Sequence, residues 1–533
     1  MHPATPHAHD RSRGSTVRVV VAEWRPPEAC RLQQAMRLTN EAFAEKLGAA
    51  PRTIAKWHAN SAMRLTLEMQ QALDTMLDRA GDDVKHRFAQ LRGDVPDGQG
   101  RERSEPWRRR LDADRNLAAA LDWLDGIRHE PSGTSRRDVE ALLCGGGAAR
   151  VRERASARGT LDRSCAAQVV RDFYGAPPPG YGNVSVHCGP RRHATTILSR
   201  KEWLVGRLDL REETGAFELV HGMPADDVPV SPAIADAALQ RVAEILVGRT
   251  RFVDAPVYRL LRPPEGELAT GTEFAVDTFA HYALTWDVLE AEVADSALGR
   301  SEGLPLREAL LPSIGAVLEP TGRLCAGGAQ ALCAFARPGA GGRPGDYLLL
   351  IQERSPRVVN ATGRLAVIPK CFHQPITDVA GEVGVGRTLL RELEEELLGR
   401  DELDVGSNGA AADPMHPSRL SAPMRWLRES PGWDLQMTGF GFNLMSGNYE
   451  FASVMAVHDE TFWIRHGGAV EANWEAARLR AFSSLDRDGL AALLNEQDWS
   501  DEGLVAFALG LRRLAELSPD RVRLPPLEIG VET

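Results

Sequence analysis

Residues Leu389 to Gly399 read LLRELEEELLG, and they constrain the chain more than any other stretch. Glu392, Glu395 and Glu396 stand at i, i+3 and i+4, so a helix of 3.6 residues per turn brings them to one face. Leu389, Leu390, Leu393 and Leu397 form an apolar stripe beside them. Like charges at this spacing repel by roughly 0.2–0.5 kcal/mol per pair on an exposed helix. Two readings follow. Either the run is a solvated face, or a divalent cation turns repulsion into coordination, for which hard carboxylate oxygens suit magnesium.

The flanks sharpen the choice. An apolar strand is predicted from Tyr347 to Ser355, ending in Gln352-Glu353-Arg354. A second, Leu365-Ala-Val-Ile-Pro369, precedes the helix. This order resembles the Nudix hydrolase family, whose helix carries Arg-Glu-x-x-Glu-Glu, here Arg391-Glu392 and Glu395-Glu396. The resemblance covers about Pro312 to Leu517. It implies an α/β/α sandwich with a mixed sheet. It also implies magnesium on Glu392, Glu395 and Glu396, with Glu395 and Arg391 the catalytic pair in an active enzyme. Arg354 and Lys370 would contact the ligand.

The pattern departs from the family upstream. Counting back from Arg391, the glutamate slot is Val383 and the glycine slot is Thr377, while Glu382 sits one residue off. Pro369 is followed by Lys370-Cys371 instead of two glycines, and the terminal glycine arrives one residue late, at Gly399. Lys370 either offers a point charge to a phosphate or is an ordinary exposed lysine. Asn448 to Val457 reads as a later strand, and Phe482 to Asp486 introduces a last helix. Between Thr438 and Tyr449, Phe440, Phe442 and Tyr449 either stack on a base or fill the core of a glycine-bent strand. Glu471 and Trp474 lie where many Nudix proteins contact substrate.

Charge is uneven along the chain. The net charge is −11 over 533 residues, yet residues 1–65 hold ten Lys/Arg against five acids. That end carries +5 and the remainder −16, an asymmetry that points to a dedicated nucleic-acid module. Pro27 to Met36 predicts a first helix. Thr39 caps a second, Asn40 to Leu47, with Glu41 in its first turn and Gly48 ending it. Pro51 opens a third, where Ile54 and Trp57 point inward and Arg52, Thr53 and Lys56 face out. This succession resembles the Cro/repressor-like helix-turn-helix family of bacterial regulators, on Leu38-Thr39, Phe43 to Gly48 and Arg52 to Trp57. The resemblance implies double-stranded DNA as partner, with Thr39, Asn40, Arg52, Thr53 and Lys56 at the interface. Arg52 would pair with guanine while Lys56 and the Thr39 region meet phosphates. The alternative is a helical bundle that binds another protein.

The layout expected is a multidomain α/β chain. It comprises a disordered tail (1–16), an all-α helix-turn-helix bundle (17–93) and a linker with helical connector (94–160). A middle α+β region (161–311), a Nudix-like domain (312–520) and a C-terminal tail (521–533) follow. Asp94 to Ser104 is polar and Gly/Pro-bearing, as linkers are. Thr278 to Val293 predicts one helix with Phe279, Tyr282, Trp286, Leu289 and Val293 as its core stripe. On it His281, Asp287 and Glu290 fit solvated or hydrogen-bonded structural roles better than ligand roles. Gly339 to Gly345 predicts a hairpin loop. Seven scattered cysteines form no CxxC pair, so neither zinc finger nor disulfide framework is indicated. With no apolar run near 18 residues and no secretory core, no membrane partner and a cytoplasmic location are expected.

Three functions fit these features. The first is a DNA-binding transcriptional regulator whose Nudix-like domain senses a nucleotide or related phosphorylated ligand, working as a homodimer. The second is a magnesium-dependent Nudix-type hydrolase of nucleoside diphosphate derivatives. The third is a protein-interaction scaffold.

Overall fold

In β6 (Gly327–Arg337) every residue but the last is buried. Its odd-numbered members Ala331, Cys333 and Phe335 join one hydrophobic cluster, and Leu332, Ala334 and Ala336 join another. Successive strand side chains point to opposite faces, so β6 must be covered on both sides. The computed structural model shows that cover as helices. It describes residue 21 and residues 24–36, 38–59, 63, 65–80, 84–85, 87–88, 106–159, 161–212, 215–220, 231–248, 250–266, 270–339, 341–398 and 415–532. The tail expected at 1–16, the linker expected from Asp94 to Ser104 and Gly399 lie outside these residues.

The chain divides into two compact units, Met1–Arg103 and Ser104–Thr533. In the first, the described helices are α1 (Pro26–Met36), α2 (Asn40–Leu47), α3 (Pro51–Ala59) and α4 (Leu67–Arg79), with short helical stretches at 84–85 and 87–88. Thr39 caps α2 by accepting the Ala42 N–H. Gly48 ends α2 in the left-handed region (φ 66°), where a side chain would be strained. Phe43, Ala44, Leu47, Ile54 and Trp57 share a core with Leu32 and Leu73. Gln33 bridges α1 to its neighbours, donating to the Leu38 carbonyl and to Asn40 and contacting His58.

The second unit is mixed helix and sheet. Its main sheet runs β12 (Ala476–Ser483), β7 (Asp346–Arg354), β6, β11 (Asn448–Val457), β10 (Trp433–Asn443), β2 (Arg191–Ser199), β1 (Gly182–Cys188) and β13 (Leu527–Glu532). β8 (Leu365–Val367) pairs with β7, and β9 (Lys370–Phe372) with β6. The β6–β11 pair is parallel, with Tyr449 opposite Gly327 and Glu450 opposite Gly328; the others are antiparallel. The helix Asp501–Leu517 lies under one face with Trp499 and Phe507 stacked. Val385–Glu396 belongs to the opposite side with Leu389 and Leu393. A small second sheet, β3 (Phe217–Leu219), β5 (Thr272–Thr278) and β4 (Pro256–Arg262), adds to that side.

Several expectations need correction. Residues expected as a middle region and as a Nudix-like domain share one sheet, because β2 pairs with β10 at Leu198–Phe442 and Ile197–Asn443. The connector helices Pro106–Ala113, Arg115–Ile127 and Thr134–Leu143 bury Trp107, Leu117 and Val139 in the same core. The tail expected at 521–533 is not one over its described residues, 521–532, since β13 hydrogen-bonds along β1. The single helix expected from Thr278 to Val293 is interrupted. β5 ends at Thr278, Phe279–Thr285 is helical, and Trp286 and Asp287 separate it from Val288–Ala297. The buried Asp287 there pairs with Arg241 of the Pro232–Gly248 helix, a partner from outside the segment. The hairpin loop at Gly339 to Gly345 does join β6 to β7.

One glycine seats the carboxylate helix. At Gly386 a Cβ would lie 2.0 Å from the Leu210 carbonyl oxygen, which is backbone and cannot swing away. Gly386→Ala is therefore expected to destabilise the second unit by about 1–3 kcal/mol, the range for forced overpacking. Urea denaturation checks it, and an unchanged midpoint would mean the helix is free to slide.

Candidate functional site

The Val385–Glu396 helix distributes its carboxylates in three directions. Glu392 and Glu395 line a cavity of about 190 Å³. Glu394 turns away to accept the Ser421 N–H and hydroxyl, at 2.5 and 2.7 Å. Glu396 is fully buried and accepts the Lys370 N–H at 2.9 Å and the Gln352 amide at 3.2 Å. Glu396 thus does not join Glu392 and Glu395 at a shared cation, as expected from spacing; it ties the helix to β7 and β9. Burial, followed by the Glu475 charge, holds its pKa well above the usual carboxylate value.

Two other carboxylates take its place. Glu450 of β11 and Glu475, just before β12, line the same cavity. Burial pushes Glu450 up to about 8, with Lys370 pulling it down and Glu502 pushing it up. Glu475 is raised by burial and by Glu392, against the pull of Arg354. Sequence reasoning missed both. The available signal was a lone glutamate inside the apolar run Asn448 to Val457, where a charge needs a buried partner.

That partner is Lys370. It is 7% exposed, so the exposed reading does not hold. Its ammonium donates to Glu502 at 2.9 Å, both side chains being buried. Burial works against this cation, yet Glu502 and Glu450 outweigh it and hold its pKa above the ordinary lysine value. Arg354 also lines the cavity and pairs with Glu475 at 3.0 Å. Arg391 is 2% exposed and lies behind the wall. It donates to Glu392 at 3.0 Å and to the Gln374 carbonyl at 3.0 Å, and reaches Glu382 at 3.4 Å. A planar fork fixed at three points orients the Glu392 carboxylate.

Glu382, one residue from the family slot, still organises the preceding turn. It accepts the N–H groups of Ile376, Thr377 and Asp378 at 2.8–2.9 Å and the Thr377 hydroxyl at 2.9 Å. Those bonds hold its pKa low despite burial. The aromatics expected to stack on a base are elsewhere. Phe440 packs edge-on to Trp203 at 4.8 Å, and Tyr449 is fully buried, donating to the Tyr258 carbonyl. Both belong to the core, and the cavity's aromatic walls are Phe279, Phe372 and Trp474. The Arg251 and Arg357 guanidinium groups lie over the Trp474 ring at 5.3 and 5.2 Å. Glu471 serves the backbone, its N–H bonding the Leu397 carbonyl. His281 pairs with Asp277 at 3.0 Å and stacks on Trp123.

The first unit carries the other set of expected residues. Arg52 and Lys56 are exposed on α3 and Thr53 is partly so, opposite the buried Ile54 and Trp57. Thr39 is exposed at the α2 cap and Asn40 is half-buried against Gln33.

No protein-family model matches the chain, and a search of curated proteins gives no match either. Among the described residues no helix is long and apolar enough to cross a membrane.

Proposed function

We propose that the chain is a DNA-binding transcriptional regulator whose second unit holds a phosphorylated, nucleotide-like ligand. The observation that carries this reading is the α2–α3 pair. A capped helix, a left-handed glycine and a third helix leave Arg52 and Lys56 outward over a buried Ile54 and Trp57. That arrangement suits a helix entering the major groove, and it supports the Cro/repressor-like resemblance. One such module makes few phosphate contacts, so a homodimer is part of the proposal. The test is fluorescence anisotropy with the full chain on duplexes selected by it from a random pool. Lys56→Ala is expected to lower the salt-dependence slope by about 1 across sequences. Arg52→Ala is expected to weaken the selected site by about 1–3 kcal/mol and to relax preference at one base pair. Binding indifferent to both substitutions would leave the scaffold reading standing.

The ligand half of the proposal is supported by the mixed charge of the cavity. Lys370, Arg354 and Arg251 suit phosphate oxygens, and Phe279 and Trp474 offer apolar surface. Ligand control of DNA binding requires unequal affinity for two states of the regulator. A titration of nucleotides and sugar nucleotides that leaves DNA affinity unmoved would remove the sensor.

A second reading, a magnesium-dependent Nudix-type hydrolase, is favoured by the convergence of Glu392, Glu395, Glu450 and Glu475 on one cavity. Four hard-oxygen side chains fit magnesium; burial pushes Glu450 up to about 8 and shifts Glu475 upward, and a cation would oppose both shifts. When bound, the ion would supply Lewis-acid polarisation of a diphosphate. The chain's own part is the Arg391 fork that sets Glu392 and the Lys370 charge nearby. Glu395→Gln is expected to lower phosphate release from dinucleoside and sugar-nucleotide substrates by at least about 100-fold, roughly 2.7 kcal/mol. Release unchanged by that substitution would end the hydrolase reading.

A further inference from the structure

A second cavity, of about 470 Å³, lies in the Ser104–Thr533 unit beside the acidic one, and Val358, Val359 and Asn360 wall both. Five arginines line it from separate parts of the chain. Arg152 and Arg158 come from the Gly147–Gly159 helix and Arg163 from the Arg163–Tyr174 helix. Arg241 comes from the Pro232–Gly248 helix, and Arg364 stands before β8. Four carboxylates face the same space: Glu244, Glu290, Asp501 and Glu502.

The pairing is incomplete. Arg158 pairs with Glu244, Arg241 with Asp287, and Arg163 with Asp501 at 3.3 Å. Glu502 is engaged by Lys370. Among the described residues no carboxylate lies within ion-pair distance of Arg152 or Arg364, whose guanidinium donates instead to the Leu161 carbonyl. Arg163 is 7% exposed, and its Nη1 is buried with no hydrogen-bond partner. Its Nη2 contacts His193 at 3.1 Å. A guanidinium does not shed its proton in a protein, so an unmet buried donor on it carries the full desolvation penalty. The remaining acid does not answer this excess. Burial, with Asp287 and Glu502 alongside, pushes Glu290 up to about 8, so it is mostly neutral at pH 7. Burial first, then the neighbouring Arg241, bring Arg158 down to about 10, against the pull of Asp287 and Glu290.

We propose that this cavity is a binding site for a small phosphate monoester, with Arg152, Arg163 and Arg364 meeting the phosphate. Guanidinium forks match phosphate oxygens in geometry as well as charge, which is why arginine rather than lysine gathers at such sites. The volume lies in the range of small-molecule sites and exceeds what inorganic phosphate alone would fill. The two cavities share the wall at 358–360 but none of their charged lining, so this site does not require the acidic cavity's occupant.

Calorimetric titration of the full chain at pH 7, with EDTA present, tests it. The probes are ribose 5-phosphate and inorganic phosphate. One saturable site for ribose 5-phosphate is expected. Its Kd should rise tenfold or more in Arg152→Ala and in Arg364→Gln, and stay unchanged in Glu395→Gln. Arg152 is exposed on its helix, so its loss leaves the fold intact, and matching thermal melts confirm this. Binding of inorganic phosphate as well would place the recognition in the dianion; its absence would place part of it in the sugar. The proposal is overturned if ribose 5-phosphate gives no saturable heat, if both arginine variants bind like the parent, or if Glu395→Gln abolishes binding.

Discussion

Replacing Lys370 with methionine is expected to destabilise the Ser104–Thr533 unit by about 3–5 kcal/mol, the range for removing one partner of a buried ion pair. The ammonium lies 2.9 Å from Glu502, with side-chain exposures of 9% and 6%. Methionine keeps the bulk and drops the charge. Glu502 would then retain the Asn443 amide at 3.4 Å and the Ser500 region, neither of which is a cation. Glu450 cannot compensate, because it is itself a carboxyl in the same buried neighbourhood. The double variant K370M/E502Q is expected to recover more than half of the loss, because no buried charge is then left alone. Urea denaturation at pH 7 measures both. A single-variant loss under about 1 kcal/mol would show that water reaches the pair and that the cavity floor is wet.

That triad also shows what the sequence could and could not reveal. Strands β7 and β11 are legible because Tyr347 to Ser355 and Asn448 to Val457 are short apolar runs with turn residues on both sides. The carboxylate helix is legible from its leucine stripe, and α2 from Thr39 and Gly48. Local signals of this kind fix an element but not its neighbours. Glu396 shares a helical face with Glu392, yet the Lys370 amide captures it from a strand 26 residues earlier. Glu450 and Glu475 reach the same cavity only through the parallel β6–β11 pairing and the return of β12 along β7. The break at Trp286–Asp287 has no glycine or proline to announce it, and the Asp287 there is held by Arg241 on another helix. β13 does alternate, with Leu527, Ile529 and Val531 packed against the core between Glu528, Gly530 and Glu532, but six residues at the end of the chain name no neighbour, and the pairing with β1 comes from more than 300 residues away. The arginine cavity is likewise silent in the sequence, since its five arginines span positions 152 to 364.

Acid should unfold the second unit through a residue that no motif marks. His373 follows β9, is fully buried, and packs against Tyr258 and Phe274 at ring separations of 4.4 and 4.9 Å. The Tyr449 hydroxyl donates its one hydrogen to the Tyr258 carbonyl, so at 3.2 Å the His373 Nδ1 must be the donor to that oxygen. Nε2 is left buried without a hydrogen-bond partner, and the Val383 backbone favours a proton on the ring too weakly to offset burial. Burial first, and Arg391 second, bring this imidazole down to about 3. Its unfolded value is about 6.5. A depressed folded pKa contributes stability that is present above the unfolded value and lost as pH falls toward the folded one. Between pH 6.5 and 4 the residue alone is therefore expected to remove about 3 kcal/mol, at 1.36 kcal/mol per pH unit. The buried carboxyls act oppositely: Glu290 and Glu450, both raised to about 8, favour the fold as pH drops from 8 toward 4.5. The total curve mixes these signs, so the decisive quantity is the difference between the parent and His373→Phe. That difference in unfolding free energy, followed by urea denaturation at pH 7, 5.5 and 4, should shift by about 3 kcal/mol in favour of the phenylalanine variant as pH falls. Parallel curves would mean that His373 reaches water in the native state, and the packed aromatic shell between the small sheet and β9 would have to be redrawn.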